Sequence, residues 1–357
     1  MTLMKEAIEH VTDRKDLDPD LARGAMKELM SGKTTETNIG ALLAGLRSKG
    51  ESAEEIAAFA HVMREKSIKI NPQVKEELID MCGTGGSRIK TFNISTISSL
   101  VVAGAGFPVA KHGNRSNSSQ SGSADLLEAL GVNLDTSPEQ VERTIEEIGI
   151  GFLYAPNLHP AMKHAAKPRS ELGIRTVFNV LGPLTNPASA SRQLLGVYDR
   201  ALVDKFPSVL KKLGVNRALV VHGHPGIDEI STVGETYAGE LDRGNIAHYK
   251  IHPGDFGLAE VTPSEIKDLP PDKSARLALS IIKGDLDGPA LDVVLLNAAA
   301  GIYVAGGGSS IRESLEIARQ AIESGNAYRK TRDLVNETGR IEKLNQVEEI
   351  PPEELPL

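Results

Sequence analysis

The chain has 357 residues, enough for two domains or one large one, and 40% of them are hydrophobic, which suffices for buried cores. A formal net charge of −8 argues against broad binding to nucleic acid or to membranes. No apolar run approaches membrane-spanning length, and we expect no secretory leader. The single cysteine, Cys82, excludes an internal disulfide and a Cys-based metal cluster, and predicts a protein of the reducing cytoplasm.

The first seventy residues have a helical pattern. Asp18 before Pro19 is typical of an N-cap followed by a first-turn proline. Ser52 with Glu55 three residues later predicts a capping box before an apolar stripe. The proline that follows Asn71 interrupts this pattern, and strand signals begin after it. The sequence therefore predicts a helical segment that ends near this proline.

A glycine-rich stretch follows the first predicted strand. The apolar run 78–82 reads as a short buried strand, and three glycines within residues 83–86 allow the backbone to turn sharply and present its N–H groups to a ligand. The stretch 93–106 predicts a buried helix capped by Asn93 or Ser95, with its N-terminus toward that ligand. An ordinary glycine turn before a Ser/Thr-capped helix explains these residues equally well.

A second strand-to-helix connection is also rich in donors. Residues 108–110 predict a strand that leads into the basic loop 111–115, and this loop runs directly into the polar tract 116–123. Asp125 with Glu128 predicts a capping box for the next helix. Each of these connections offers ways to hold phosphate oxygens. Together they predict an α/β sheet with a multiply phosphorylated ligand at its strand ends.

Later elements alternate between strands and helices. The run 137–149 predicts a helix that ends near Gly149, and 150–154 predicts a strand. Residues 218–221 predict another strand, and 291–304 predict an apolar helix. This βαβ alternation favours a largely parallel sheet.

Further motifs follow the phosphate-binding segments in a fixed order. They are His159-Pro-Ala-Met-Lys163, Arg169-Ser-Glu-Leu-Gly-Ile-Arg175, Phe178-Asn179, Gly182-Pro-Leu-Thr-Asn-Pro187 and Gly226-Ile-Asp-Glu-Ile-Ser231. Together with Gly83-Thr-Gly-Gly86, Asn93-Ile-Ser-Thr96, Lys111-His-Gly-Asn-Arg115 and Ser121-Gly-Ser-Ala-Asp125, they make roughly the first 330 residues resemble the anthranilate phosphoribosyltransferase family of tryptophan biosynthesis.

The resemblance implies a small all-helical domain plus a larger α/β domain with a mainly parallel central sheet, as in nucleoside phosphorylases and phosphoribosyltransferases. It implies that residues 1–71, with a return segment near 165–190, form the helical domain, and that 72–164 and 191–340 form the α/β domain. The substrates would lie in the hinge cleft, and a homodimer would join through the helical domain. The remaining residues, 341–357, end in an acidic, proline-rich run that predicts a disordered tail.

The reaction that the resemblance implies is transfer of the 5-phosphoribosyl group from phosphoribosyl pyrophosphate to the amine of anthranilate. Pyrophosphate leaves C1 of the ribose, and electrostatic stabilisation of the leaving group is the expected catalytic effect. An aromatic amine is neutral at pH 7 and attacks without a strong base. His112 is the one candidate proton handler in the basic loop, although an orienting hydrogen bond or packing explains it at least as well.

The resemblance assigns substrate contacts to particular residues. Anthranilate contacts fall on Gly83, Asn114 and Arg169. The guanidinium of Arg169 could bind a carboxylate bidentately, although taken alone this residue reads as a helix-surface arginine. Contacts to phosphoribosyl pyrophosphate fall on Gly83, Gly86, Ser87, Thr91, Asn93, Ile94, Ser95, Thr96, Lys111, His112, Gly113, Asn114, Arg115, Ser116, Asn117, Ser118, Ser119 and Ser123.

Two adjacent acids raise the question of a metal. Asp228 and Glu229 follow the strand 218–221, although neighbouring acids in a loop are usually solvated surface charges. His222 and His224 lack a clear third ligand, which disfavours zinc. Magnesium fits better because it accepts a few carboxylates together with water and phosphate oxygens. The resemblance assigns Asp228, Glu229 and the hydroxyl of Ser95 to magnesium, without fixing the number of ions.

One departure from the family and two competing functions remain. The family commonly continues its glycine loop with Asp-Gly, whereas this chain has Ser87-Arg88, which removes a carboxylate and adds a cation beside the predicted phosphate site. Pyrimidine nucleoside phosphorylases share the architecture but leave the anthranilate-side motifs unexplained. A non-enzymatic relative that binds nucleic acid would need a basic groove and would have lost the metal acids. The acceptor could be anthranilate or another aminobenzoate.

Overall fold

The computed structural model describes residues 2–116 and 119–349. The helices in these ranges are α1 Leu3–Thr12, α2 Pro19–Met30, α3 Glu36–Lys49, α4 Ala53–Lys66, α5 Ile94–Gly104, α6 Ser123–Ala129, α7 Pro138–Arg143, α8 Ala155–Leu158, α9 Lys163–Leu172, α10 Phe178–Leu181, α11 Ala201–Lys212, α12 Pro271–Lys283, α13 Pro289–Ala305, α14 Ile311–Glu323, α15 Asn326–Thr338 and α16 Ile341–Glu348. The strands are β1 Ile79–Gly83, β2 Val109–Gly113, β3 Ile150–Tyr154, β4 Arg192–Gly196, β5 Arg217–Gly223, β6 Thr236–Asp242 and β7 Asn245–Ile251.

The predicted caps of the opening helices are confirmed. Asp18 accepts hydrogen bonds from the backbone N–H groups of residues 20 and 21 at the start of α2, at 2.9 Å each. Ser52 and Glu55 form both bonds of the capping box that begins α4. Glu55 is fully buried and also accepts a 2.7 Å hydrogen bond from Lys49, so this carboxylate ties the end of α3 to the start of α4.

The strands form one sheet in the described part of the chain, in the order β3-β2-β1-β4-β5-β6-β7. The five strands from β3 to β5 are parallel, and β6 and β7 extend the sheet antiparallel. The strand order reverses at β1, whose neighbours are β2 on one side and β4 on the other. Ligands of such sheets bind in the crevice outside the carboxyl ends of the strands at this reversal. The predicted fold class is confirmed.

Apolar clusters cover both faces of the sheet. One cluster joins α5 and α13 to the sheet, and a second joins α11 and the opening helices to the opposite face. Helix α9 packs against α2 and α3, and α10 packs against α4. In the described residues no helix is both long and apolar enough to cross a membrane.

Two boundaries differ from the sequence predictions. Asp125 and Glu128 do not form the predicted capping box. Helix α6 begins earlier, at Ser123, and Asp125 lies within its first turn, where it accepts a hydrogen bond from the backbone N–H of Gly122. The predicted tail does not begin at residue 341, since α16 covers 341–348 and buries Leu344 completely. Residues 350–357 lie outside the described residues.

Candidate active site

A cavity of about 480 Å³, here called the main cavity, opens at the carboxyl ends of β1 and β2. It gathers the phosphate-binding segments and both acids that the sequence singled out. The predicted residues that line it are Gly83, Gly86, Ser87, Thr91, Asn93, Ser95, Thr96, Lys111, His112, Gly113, Asn114, Arg115, Ser116, Ser119, Ser123, Asp228 and Glu229. Ile94 is not among them, because its side chain is fully buried in the core, and Asn117 and Ser118 lie outside the described residues.

The glycine loop, residues 83–88, is fastened to Asp228. One oxygen of this carboxylate accepts a 2.8 Å hydrogen bond from the backbone N–H of Gly85, and the other accepts from the hydroxyl of Ser87. A side chain at position 83 would place its Cβ 2.5 Å from Asp228 Oδ2 and would have to displace this carboxylate from its hydrogen bond with Gly85. Gly85 and Gly86 have φ values of +66° and +78°, a left-handed conformation that favours glycine.

Helix α5 presents its N-terminus to the same cavity. Asn93 occupies the N-cap position as predicted, but its side chain does not cap the helix. It bridges Ser121 and Ser274 instead, at 3.2 and 2.6 Å. The backbone N–H of Ser95 hydrogen-bonds to Glu229, which brings the Ser95 segment beside the acid pair. The positive end of the helix dipole therefore lies where an anion would bind.

The acid pair has the electrostatics of a cation site. Burial, and then the neighbouring charge of Asp228, raise the pKa of Glu229 to about 8. A divalent cation would relieve this repulsion and favour the ionised carboxylates. No group of three or more His, Cys, Asp or Glu side chains within 2–116 and 119–349 could hold a metal. A magnesium ion here would draw on Asp228, Glu229, the Ser95 hydroxyl and substrate oxygens, the oxygen-rich set that magnesium prefers.

The predicted basic loop is partly a strand. Lys111 and His112 belong to β2 and are only 3% and 7% exposed, so they are not loop residues as predicted. Lys111 Nζ donates a 2.5 Å hydrogen bond to the carbonyl of Met81 on β1, and burial lowers its pKa. The fully buried Asp80 faces Lys111 and accepts a 3.2 Å bond from the backbone N–H of His112. Sequence analysis did not find these buried polar contacts, because the second strand was predicted from its apolar residues alone and was ended before Lys111.

Arg115 is the cation of this segment that stays at the rim of the main cavity. Its guanidinium pairs with Asp125 and Glu128 on α6, each at 2.9 Å, and lies 6.0 Å from the ring centroid of Tyr154. These hydrogen bonds raise its pKa. Arg115 is therefore a fixed positive charge whose orientation is set by the two carboxylates.

A buried histidine pair adjoins the main cavity. The rings of His112 and His159 lie 5.1 Å apart, and three of their four nitrogens have no hydrogen-bond partner among the described residues. Burial lowers the pKa of His112 to about 3 and that of His159 to about 4. Both rings are neutral at pH 7, which favours an orienting hydrogen bond over proton transfer for His112. His159 belongs to the motif 159–163, but the sequence analysis assigned it no role.

The anthranilate-side motifs contribute two cavity residues to which the sequence assigned no role, and they place Arg169 elsewhere. Arg169 lies on α9 with its guanidinium 5.1 Å from the ring centroid of Phe178, outside the wall of the main cavity. It has no hydrogen-bond or ion-pair partner in the described part of the chain, and burial lowers its pKa. Arg175 and Asn179 line the cavity instead, and Arg175 donates to the carbonyl of Gly86. The only sequence signal for these two residues was their position in the family motifs 169–175 and 178–179.

Comparison with protein families agrees with this architecture. Residues 5–67 match the helical bundle domain of a glycosyl transferase family, and residues 75–328 match the a/b domain of a glycosyl transferase family. An anthranilate phosphoribosyltransferase of Persephonella marina is 48% identical over 91% of this chain and 96% of its own length. The enzyme of that name from Aquifex aeolicus is 45% identical over 96% of this chain and 100% of its own.

Solved structures give the same result. The crystal structure of anthranilate phosphoribosyltransferase from Thermus thermophilus superposes with a TM-score of 0.89 at 42% identity, covering 95% of this chain and 99% of that one. The Saccharomyces cerevisiae enzyme in complex with phosphoribosyl pyrophosphate and magnesium gives a TM-score of 0.86 at 27% identity, over 94% and 97% of the two chains. With the glycine loop, the acid pair and these relatives in agreement, the chain belongs to the anthranilate phosphoribosyltransferase family.

Proposed function

We propose that this chain transfers the 5-phosphoribosyl group of phosphoribosyl pyrophosphate to anthranilate, giving N-(5-phosphoribosyl)anthranilate and pyrophosphate in tryptophan biosynthesis. The observation that carries the proposal is the convergence of the glycine loop, the start of α5, the end of β2 and the acid pair on one cavity. Relatives named for this reaction share 45–48% of their residues with this chain. The Saccharomyces cerevisiae enzyme has been solved with phosphoribosyl pyrophosphate and magnesium, and with 4-fluoroanthranilate.

On the donor side, the chain supplies hydrogen-bond donors and fixed charges. The N–H groups of the glycine loop and of the start of α5 would bind phosphate oxygens, and Lys111 and Arg115 would add positive potential. Asp228, Glu229 and Ser95 would hold magnesium, which when bound neutralises charge on the departing pyrophosphate. Because these groups are held in place before substrate binds, they stabilise the leaving group without reorganising.

On the acceptor side, buried and partly buried groups would orient anthranilate. One ring nitrogen of His112 hydrogen-bonds to the Gly182 backbone, which leaves Nε2 with no partner in the described residues. This nitrogen could accept a hydrogen bond from the attacking amine. Arg169, which has no hydrogen-bond or ion-pair partner in the described residues, would pair with the substrate carboxylate, and Asn114 and Gly83 would complete the contacts. The amine attacks C1 of the ribose as the bond to pyrophosphate breaks, and the amine proton is then lost.

The wider setting forms part of the same proposal. We infer a cytoplasmic enzyme that forms a homodimer through its helical domain. That domain would comprise residues 1–71 and the return segment near 165–190, and the rest of the chain to residue 340 would form the α/β domain. Helix α16 extends the ordered part of the chain beyond that limit.

The test measures transfer to anthranilate and compares it with transfer to two other aminobenzoates. Anthranilate fluorescence should fall when the protein is mixed with phosphoribosyl pyrophosphate and magnesium, and the loss should stop when EDTA removes the metal. 3-Aminobenzoate and 4-aminobenzoate serve as matched acceptors in which the carboxylate and amine have a different spacing. Preference for either of these over anthranilate, or phosphorolysis of a pyrimidine nucleoside by the same preparation, would contradict the proposal.

A further inference from the structure

A second cavity of about 530 Å³ adjoins the main cavity. Gly86 and Arg175 line both, so they form the wall between them. Four arginines line the second cavity, which we call the arginine cavity; they are Arg47, Arg88, Arg175 and Arg200. His222 and His224 add two imidazoles to the same lining. This concentration of cations stands out in a chain whose formal net charge is −8.

The cations of this cavity are poorly compensated. Arg47 and Arg88 are exposed, and neither side chain has a hydrogen-bond or ion-pair partner in the described part of the chain. Among the described lining residues, Asp199 is the only carboxylate, and it accepts a 3.0 Å hydrogen bond from the first backbone N–H of α11. Arg200 contacts Asp204 at 3.5 Å, but both side chains are more than half exposed, so this pair is weak.

Two of the guanidinium groups lie over aromatic rings. The Cζ of Arg175 lies 4.2 Å from the ring centroid of Tyr198, and that of Arg200 lies 4.3 Å from the ring centroid of Tyr237. A guanidinium that lies over an aromatic ring still has N–H groups for binding an oxyanion, although Arg175 already donates one of its own to the carbonyl of Gly86. Arg88 is positioned by its backbone, whose N–H donates a 3.1 Å bond to the carbonyl of Gly226.

We propose that the arginine cavity is an accessory binding site for a diphosphate group. Four guanidinium groups around one cavity match two linked phosphate groups better than a single one, since each group offers a planar fork to phosphate oxygens. Both the donor substrate and the inorganic product of the transfer carry a diphosphate, and both occupy the adjoining cavity in the reaction proposed above. The accessory site itself does not require the transfer reaction, because its recognition rests on residues outside the acid pair and the start of α5.

The site would hold a diphosphate without magnesium. Its described lining offers one carboxylate that already accepts a backbone hydrogen bond, so the guanidinium groups supply the neutralising charge. This distinguishes it from the main cavity, where Asp228 and Glu229 require a cation. Arg175 and Gly86 line both cavities, so a ligand bound in either cavity would contact residues that also line the other.

Calorimetric titration with inorganic pyrophosphate tests the proposal. Arg47→Ala/Arg200→Ala removes two charges from the arginine cavity only, and Arg143→Ala/Arg329→Ala removes two exposed arginines that line neither cavity. In EDTA we expect the unmodified protein and the control pair to bind one equivalent with equal affinity. The Arg47/Arg200 pair should bind about tenfold or more weakly, since it loses charge-assisted hydrogen bonds.

Parallel titrations identify the source of the diphosphate and decide the proposal. Inorganic pyrophosphate and phosphoribosyl pyrophosphate are compared in EDTA, with orthophosphate as the single-phosphate control. Tighter binding of the first marks the product as the occupant, and tighter binding of the second marks the substrate. Equal affinity of the Arg47/Arg200 variant and the unmodified protein would overturn the proposal, as would an equal loss in the control pair or equal binding of orthophosphate. None of these readings needs catalytic turnover, so failure of the transfer assay would leave them interpretable.

Discussion

Asp228 combines two roles in one carboxylate. It accepts hydrogen bonds from Gly85 and Ser87, which fix the glycine loop, and it lies beside Glu229, whose pKa burial and the Asp228 charge raise to about 8. Alanine at this position would remove both roles and confuse their effects. Asparagine removes the charge and keeps an oxygen that can accept from Gly85, while its amide NH2 can donate to the Ser87 hydroxyl in place of the original bond.

We therefore expect the isosteric pair Asp228→Asn/Glu229→Gln to lose magnesium-dependent turnover by about a hundredfold or more, because electrostatic stabilisation of the leaving group is lost. Its circular dichroism and urea midpoint should stay near those of the unmodified protein. Asp228→Ala should lower the urea midpoint further, since the Gly85 N–H then loses its partner. Magnesium-dependent turnover that survives in the isosteric pair would refute the assignment of the metal.

Arg169 is the second residue whose role can be isolated. Its partly buried guanidinium has no hydrogen-bond or ion-pair partner in the described residues, which leaves its N–H groups available for a carboxylate. A charge-assisted hydrogen bond contributes roughly 1.5–3 kcal/mol, so Arg169→Ala should raise the anthranilate KM about ten- to a hundredfold and leave that of phosphoribosyl pyrophosphate nearly unchanged. Lys167→Ala, which removes an exposed ion pair with Glu36 from the same helix, is the control. Equal losses for both substrates would speak against the assignment.

At the scale of elements, the two residues that depart from the family pattern, Ser87 and Arg88, line different cavities. Ser87 is 7% exposed and donates to Asp228, whereas Arg88 lines the arginine cavity and is absent from the lining of the main one. Arg88 therefore adds its positive charge to the arginine cavity and not, as expected, to the predicted phosphate site in the main cavity. An aspartate at position 87 would face the Asp228 carboxylate, and two facing carboxylates attract a further magnesium ion.

We expect the unmodified protein to keep its activity at magnesium concentrations well above saturation. Ser87→Asp/Arg88→Gly should become inhibited by excess magnesium, because a metal held between residues 87 and 228 would lock the glycine loop. Rates measured over a magnesium titration at fixed phosphoribosyl pyrophosphate provide the measurement, with Ser87→Ala as the control that removes the hydroxyl without adding charge. Superimposable titration curves for the double variant and the unmodified protein would show that the departure is neutral.

Elements with local signals were predictable from the sequence. Asp18 and Ser52 cap their helices as predicted because a cap depends on neighbours within a few residues. Lys111 was placed in a loop because its compensating partners, Asp80 and the Met81 carbonyl, lie some thirty residues away. The contact of Arg175 with Gly86 spans a longer separation still. Periodicity carries no information about such pairs, so the wall between the two cavities emerged only from the fold.

At the scale of the whole molecule, the stability of the fold should depend on the buried histidine pair. Both rings are neutral in the folded protein, with pKa values of about 3 for His112 and about 4 for His159, whereas an unfolded histidine titrates near 6.5. Between these limits the unfolded chain binds more protons, so this contribution to stability is fully present above about pH 6.5 and is lost as the pH falls. Glu229 acts in the opposite direction, since its raised pKa makes its contribution fall as the pH rises toward 8.

Because these two effects overlap, the test compares slopes between variants. His159→Asn removes one titrating ring and leaves Glu229 in place, so its free energy of unfolding should vary less steeply between pH 6 and pH 4.5, by up to about 1.4 kcal/mol per pH unit. The charge of Lys69, which also disfavours protonation of His159, is unchanged in this variant. Urea unfolding at several pH values gives the slopes, and His61→Asn, at an exposed position, supplies the control with an expected slope equal to that of the unmodified protein. If the His159 variant kept the full slope, the buried imidazole would not be the group that couples folding to protons.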